Sequence, residues 1–158
     1  MKYIEAINEY ENIGKNSTIS IFIAGGITNC PDWQKDLVKL LKKTNLVIYN
    51  PRRKNFPIHN PNASFEQIKW EHKYLRKSDI ISFWLSKGSL NPIVLFELGR
   101  WSHFILQKTI FVGIDPEYIR KKDVEIQLEL EKPEIKIVYS LEALANQIID
   151  YIKILNRG

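Results

Sequence analysis

Residues 78–101, SDIISFWLSKGSLNPIVLFELGRW, hold a strand, a turn and a helix in one stretch. Asp79 to Leu85 is a short run of apolar and β-favouring residues, the composition of a strand buried on both faces of a parallel sheet. Lys87-Gly88-Ser89-Leu90-Asn91-Pro92 supplies turn chemistry, with Asn91 in the N-cap position and Pro92 in the first helical turn, where its missing N–H costs nothing. The helix that follows carries one carboxylate, Glu97, in its second turn between Phe96 and Leu98. Gly99 then costs about 1 kcal/mol of helix propensity relative to Ala. A capped surface helix, with Glu97 favoured by the macrodipole and Gly99 permitting close packing, accounts for these features. An acid held in place for chemistry accounts for them too, and the rest of the chain weighs between the two.

Outward from this stretch, strands and helices alternate. Residues 3–13 place Tyr3, Ile4, Ala6, Ile7, Tyr10 and Ile13 at helical spacing, which predicts a short amphipathic helix ended by Gly14. Ser20 to Ala24 reads as the first central strand, and Gly25-Gly26 directly after it allow a ligand close to the backbone, with N–H groups turned toward an anion or a sugar. A helix over Pro31–Lys43 buries Trp33, Leu37, Leu40 and Leu41. Leu46 to Tyr49 is the second strand, ending in the Pro- and Arg-rich loop Asn50-Pro51-Arg52-Arg53-Lys54-Asn55-Phe56-Pro57. The adjacent Arg52 and Arg53 offer fork geometry for phosphate or carboxylate; a solvated loop is the plain alternative.

Ser64 to Lys77 is a helix with apolar Phe65, Ile68 and Leu75, leading straight into the central strand. Its Glu71 lies one turn from both Ile68 and Leu75, so the carboxylate leans toward the apolar side. Partial burial raises a carboxyl pKa, as a general acid at neutral pH requires. A surface ion pair with Lys73 or Arg76 is the alternative. Lys108 to Gly113 makes a fourth strand, Pro116 to Leu130 a charged connection with helical parts, Ile135 to Tyr139 a fifth strand and Leu141 to Leu155 a closing helix. The pattern predicts an α/β fold: a doubly wound parallel five-stranded sheet with helices on both faces, flavodoxin-like or Rossmann-like. In such a sheet ligands bind beyond the carboxyl ends of the strands at the switch point, where the loops at Gly25-Gly26, Asn50–Phe56 and Asn91 converge.

Composition narrows the function. At 158 residues the chain is expected to be a single domain, 1–158, burying roughly 68–70% of its unfolded surface. Its 44% hydrophobic and 26% charged residues are ordinary globular material. Apolar runs fall far short of the roughly 18–20 residues that cross a bilayer, and the opening MKYIEAINEYENIG has no signal-peptide core, so a cytoplasmic location and no membrane partner are expected. The lone Cys30 excludes an intramolecular disulfide framework and a cysteine metal cluster, and reads as a packed bystander. The net charge of +5 suits an anionic partner. Its basic residues are dispersed, without a nucleic-acid-binding signature, so a small anionic substrate fits better than a polymer. His59, His72 and His103 have no ligand partner at metal spacing. Trp70, Trp84 and Trp101 read as core, with a base pocket as the alternative.

Two carboxylates, Glu71 and Glu97, thus flank one strand on helices that reach the same crevice. Cleaving a glycosidic bond calls for one carboxylate at the anomeric carbon and an acid at the leaving group, and the pair satisfies that need in kind. Ala24-Gly25-Gly26, Asn50-Pro51-Arg52-Arg53, Trp70-Glu71 and Asn91-Pro92-Ile93-Val94-Leu95-Phe96-Glu97-Leu98-Gly99 resemble the motifs of the nucleoside 2-deoxyribosyltransferase-like family over about residues 19–113. The resemblance implies a flavodoxin-like fold and cleavage of the N-glycosidic bond of a 2′-deoxynucleoside or its monophosphate, with no cofactor and no metal. It places the catalytic nucleophile on Glu97 and the acid on Glu71, where the founding transferases have Asp. It places a 5′ contact at the position of Asn91, and Gly25 and Gly26 in the substrate-binding loop. Those transferases carry Asp where this chain has Asn91; a neutral amide can donate to a 5′-phosphate, and Arg52 or Arg53 can add charge-assisted bonds. Gly26-Ile27 replaces the usual Pro and aromatic. The implied partners are a nucleoside or nucleotide, a free nucleobase and a second copy of the chain, since such transferases complete their sites across a homo-oligomer. A nucleotide-binding module that has lost turnover is the alternative function.

Overall fold

In the computed structural model, which describes residues 1–10, 18–103 and 108–156, five strands form one parallel sheet. They are β1 (Lys2–Glu5), β2 (Ser20–Gly25), β3 (Val47–Asn50), β4 (Ile80–Leu85) and β5 (Thr109–Ile114), in the order β1-β3-β2-β4-β5. Among the described residues five helices connect and cover them: α1 (Trp33–Leu41), α2 (Ala63–Lys77), α3 (Pro92–Ser102), α4 (Lys121–Glu131) and α5 (Leu141–Leu155). Every residue of β2, β3 and β4 is buried, which is why these segments are spelled as unbroken apolar runs. Alternate side chains serve opposite faces. Phe22, Tyr49 and Ile81 pack with Trp70, Tyr74 and Leu98 of α2 and α3. Ile21, Ile48 and Ile80 pack with Leu37, Leu41, Leu144 and Ile148 of α1 and α5. From β2 the chain steps to β3 on one side and returns to β4 on the other, so the switch point lies between β2 and β4. The start of that pair is locked by Asp79, whose Oδ2 accepts from both the Ser20 amide (2.8 Å) and hydroxyl (2.6 Å).

The doubly wound five-stranded sheet is therefore as the sequence predicts, but two of its segments exchange roles. The predicted N-terminal helix is the edge strand β1, parallel to β3. Only Ile4 and Ala6, two apart, are buried there, while Tyr3 and Ile7, which complete the helical pattern, are exposed. Ile13 and Gly14 lie outside the described residues. The predicted strand at Ile135–Tyr139 contributes a single bridge, Val138 to Gly113. A turn closed by Ile135 N–H on Lys132 C=O precedes it, and Ser140 caps α5 just after it, which leaves no room for a longer pairing. Leu40, expected in the core, is exposed on α1, as are Phe65 and Ile68 on α2.

Close packing does not explain Gly99. A Cβ built there meets nothing within 4 Å, and its backbone is ordinary α-helix. Gly99→Ala is accordingly expected to stabilise the protein by about 0.5–1 kcal/mol, read as a higher midpoint in urea unfolding with an unchanged slope.

Candidate active site

A crevice of about 570 Å3 opens at the carboxyl end of β2, between α2 and α3. One helix leads into β4 and the other out of it, and both pack on the same face of the sheet, so their side chains meet over the strand end. Glu71 and Glu97 both line the crevice.

Glu71 sits one turn beyond Gln67, whose Nε2 donates to Glu71 Oε1 at 2.7 Å. The alternative ion pairs are not made: Lys73 pairs with Glu9, and Arg76 Nε donates to His72. Burial raises the Glu71 pKa, and the Gln67 hydrogen bond opposes the rise. Among the described residues no hydrogen bond reaches the Glu97 carboxyl. Burial pushes it up to about 8, and the neighbouring Glu71 charge adds to the shift. The two acids therefore feel each other through a poorly solvated space, and each disfavours the charge of the other.

Gly25 and Gly26 line the crevice at the carboxyl end of β2. The protein's own packing is what forbids a side chain at either. A Cβ on Gly25 would stand 2.3 Å from the Trp33 ring and 2.5 Å from the Trp84 carbonyl oxygen, and one on Gly26 would stand 1.9 Å from Asn91 Oδ1. Asn91 also lines the crevice, in the left-handed conformation at φ 51° that Asn tolerates better than most residues. The expected capping bond to α3 is not made. Instead its Nδ2 donates to the carbonyls of Ser86 and Ser89, both at 3.0 Å, so neither amide hydrogen is left for a 5′ group. Cys30 is buried, as a bystander would be, with its thiol 3.5 Å from Asn91 Oδ1.

Arg52 and Arg53 do not line the crevice. Arg52 straps the loop before α1, donating from Nη1 to the Pro31 carbonyl (2.8 Å) and Gln34 Oε1 (3.0 Å) and from Nη2 to the Cys30 carbonyl (3.1 Å). Arg53 lies over the Phe56 ring, 5.3 Å from its centroid. Arg100, one turn beyond Glu97, does line the crevice, with its guanidinium carbon 5.5 Å from the centroid of the Trp101 ring, and His72 lines it beside Glu71. Arg100 stands three residues after Glu97 on one helix face, and that spacing is the only signal of it in the sequence. Trp70, Trp84 and Trp101 are all buried in the core, as read from the sequence, and of the tryptophans only Trp101 also lines the crevice.

The architecture defines a doubly wound α/β protein with an acid pair facing across its switch-point crevice. Over residues 18–118, from just before β2 to beyond β5, the sequence matches the family described as nucleoside 2-deoxyribosyltransferase like, and the chain belongs to that family. Its general chemistry is glycosyl transfer on nucleosides, with nucleosides and nucleobases as the small molecules bound. No curated protein matches the chain. No helix among the described residues is long and apolar enough to cross a membrane.

Proposed function

We propose that the protein cleaves the N-glycosidic bond of 2′-deoxynucleosides or their 5′-monophosphates and passes the deoxyribose to another base or to water. The observation that carries this reading is the pair of half-buried acids, Glu71 of α2 and Glu97 of α3, lining one crevice, with the carboxyl of each raised by desolvation. Glu97 attacks C1′ as the C1′–N bond breaks and its electron pair leaves with the base, which takes a proton from Glu71. The incoming base or water then attacks C1′, returns a proton to Glu71 and releases Glu97. The competent form has Glu97 ionised and Glu71 protonated. Gly25, Gly26 and Asn91 provide the wall for the sugar, and Arg100 provides the cation at the crevice; Arg52 and Arg53 take no part.

A homo-oligomer belongs to the same proposal. Phe65, Ile68, Ile93 and Phe96 are 71, 63, 65 and 70% exposed, and the last three line the crevice mouth, an apolar rim that a second copy would cover. Sedimentation of the wild type beside Ile93→Glu tests it: the wild type is expected as a dimer or larger and the variant as a monomer.

The deciding assay is chromatographic. Incubation with a panel of deoxynucleosides and their monophosphates, with and without an acceptor base, is expected to release free base or to exchange it, and Glu97→Ala to do neither. Binding of nucleotides by calorimetry without any turnover would replace this reading with that of a binding module.

A further inference from the structure

The amide of Gln67 is placed between two acceptors and nothing else. Its Nε2 donates to the Pro51 carbonyl at 2.6 Å and to Glu71 Oε1 at 2.7 Å. Only the nitrogen end of the amide can serve both, so the hydrogen bonds fix its orientation. The side chain is nine-tenths buried, and Oε1 is left with no hydrogen-bond partner. The bond to the Pro51 carbonyl needs only one of the two amide hydrogens; the second goes to Glu71 while Oε1 goes without a partner, so the amide is turned toward the carboxyl at the expense of its own oxygen.

We infer that Gln67 is the positioning residue for Glu71: anchored to the loop after β3, it fixes the carboxyl over the crevice and reserves Oε1 as an acceptor, so that the acidic proton is carried by Oε2. This rests on the acid role proposed for Glu71. An N–H donated to a carboxylate favours the ionised form, so Gln67 also limits how far burial raises the acid. The fixed orientation presents one oxygen to the leaving base and removes the rotational freedom that would otherwise have to be lost in the transition state. The other titratable or charged groups on the crevice are His72, on the same helix, and Glu97 and Arg100, on α3 facing it.

Gln67→Met and Gln67→Leu keep the volume and delete the donor. In 13C-carboxyl NMR of protein carrying labelled glutamate, assigned through Glu71→Gln and Glu97→Gln, the Glu71 titration is expected to move to higher pH in both variants. In turnover, kcat is expected to fall roughly ten- to hundredfold with KM within about threefold, and the acid limb of the pH profile to shift upward. A folded variant in which Glu71 titrates as in the wild type overturns the inference, since a purely structural glutamine would leave that midpoint alone. The NMR arm needs no turnover, so it stands even if the proposed reaction fails. Should neither variant fold, the side-chain amide resonances of Gln67 in the wild type are expected to shift with the Glu71 midpoint. Resonances that ignore it overturn the inference equally.

Discussion

Glu97→Gln is expected to abolish base release, by about three orders of magnitude or more, and at the same time to make the protein harder to unfold. The first effect follows from removing the nucleophile: an amide of the same shape cannot form the bond to C1′. The second follows from linkage. Burial holds the Glu97 pKa at about 8 in the folded protein against an ordinary value of 4.5. Below about pH 4.5 the group is protonated in the folded and unfolded states alike, and the variant gains nothing. As pH rises past that point the unfolded chain releases the proton while the folded one keeps it, so wild-type stability falls. The loss levels off above about pH 8, where both states are ionised. Gln carries no such penalty. The variant is therefore expected to exceed the wild type by a few kcal/mol near pH 7.5 and to match it near pH 4. Urea unfolding at the two pH values measures this. An equal difference at both would show that the gain comes from packing and not from the charge.

A buried acid that weakens its own fold is the kind of residue whose neighbours give it away in the sequence. Phe96 and Leu98 single out Glu97 as an acid in apolar company, and Ile68 and Leu75, one turn from Glu71, predict a raised acid there; Phe96 and Ile68 are themselves exposed, so the burial that raises both acids comes from the crevice that the fold assembles. The central strands are legible for a related reason: β2, β3 and β4 are covered on both faces, and composition suffices to find them. The edge is harder. β1 is four residues long with one buried face, and Ile4 and Ala6 fit a strand no better than Tyr3, Ile4 and Ile7 fit a helix until β3 offers its open edge. The polar walls of the crevice are harder still. Arg52 looks like an anion ligand because two arginines stand together in a loop, yet its hydrogen bonds go to carbonyls left open before α1, which only the fold brings near. Gln67 and Arg100 look like solvated positions on helix surfaces. Their importance depends on where α2 and α3 lie relative to Pro51 and to each other, and residue type carries no trace of that.

Glu71→Gln separates the two acids by their protons. With the general acid gone, the leaving base must depart unprotonated, and base release is expected to fall about 10²–10⁴-fold for natural bases. A deoxynucleoside whose base is already a good anionic leaving group should lose much less, since its departure needs little protonation. The pH profile should change shape as well. In the wild type the active form carries one proton on the pair, so kcat/KM should be bell-shaped, with its alkaline limb near pH 8, where Glu97 gives up the last proton. In Glu71→Gln a single titrating acid remains, and it must be ionised to attack. The neighbouring charge that helped to raise Glu97 has also gone. Residual activity should therefore rise with pH to a plateau whose midpoint lies below 8, with no alkaline fall. A variant that keeps the bell, or that loses activity equally for good and poor leaving groups, would remove Glu71 from the acid role and leave it as part of the crevice wall.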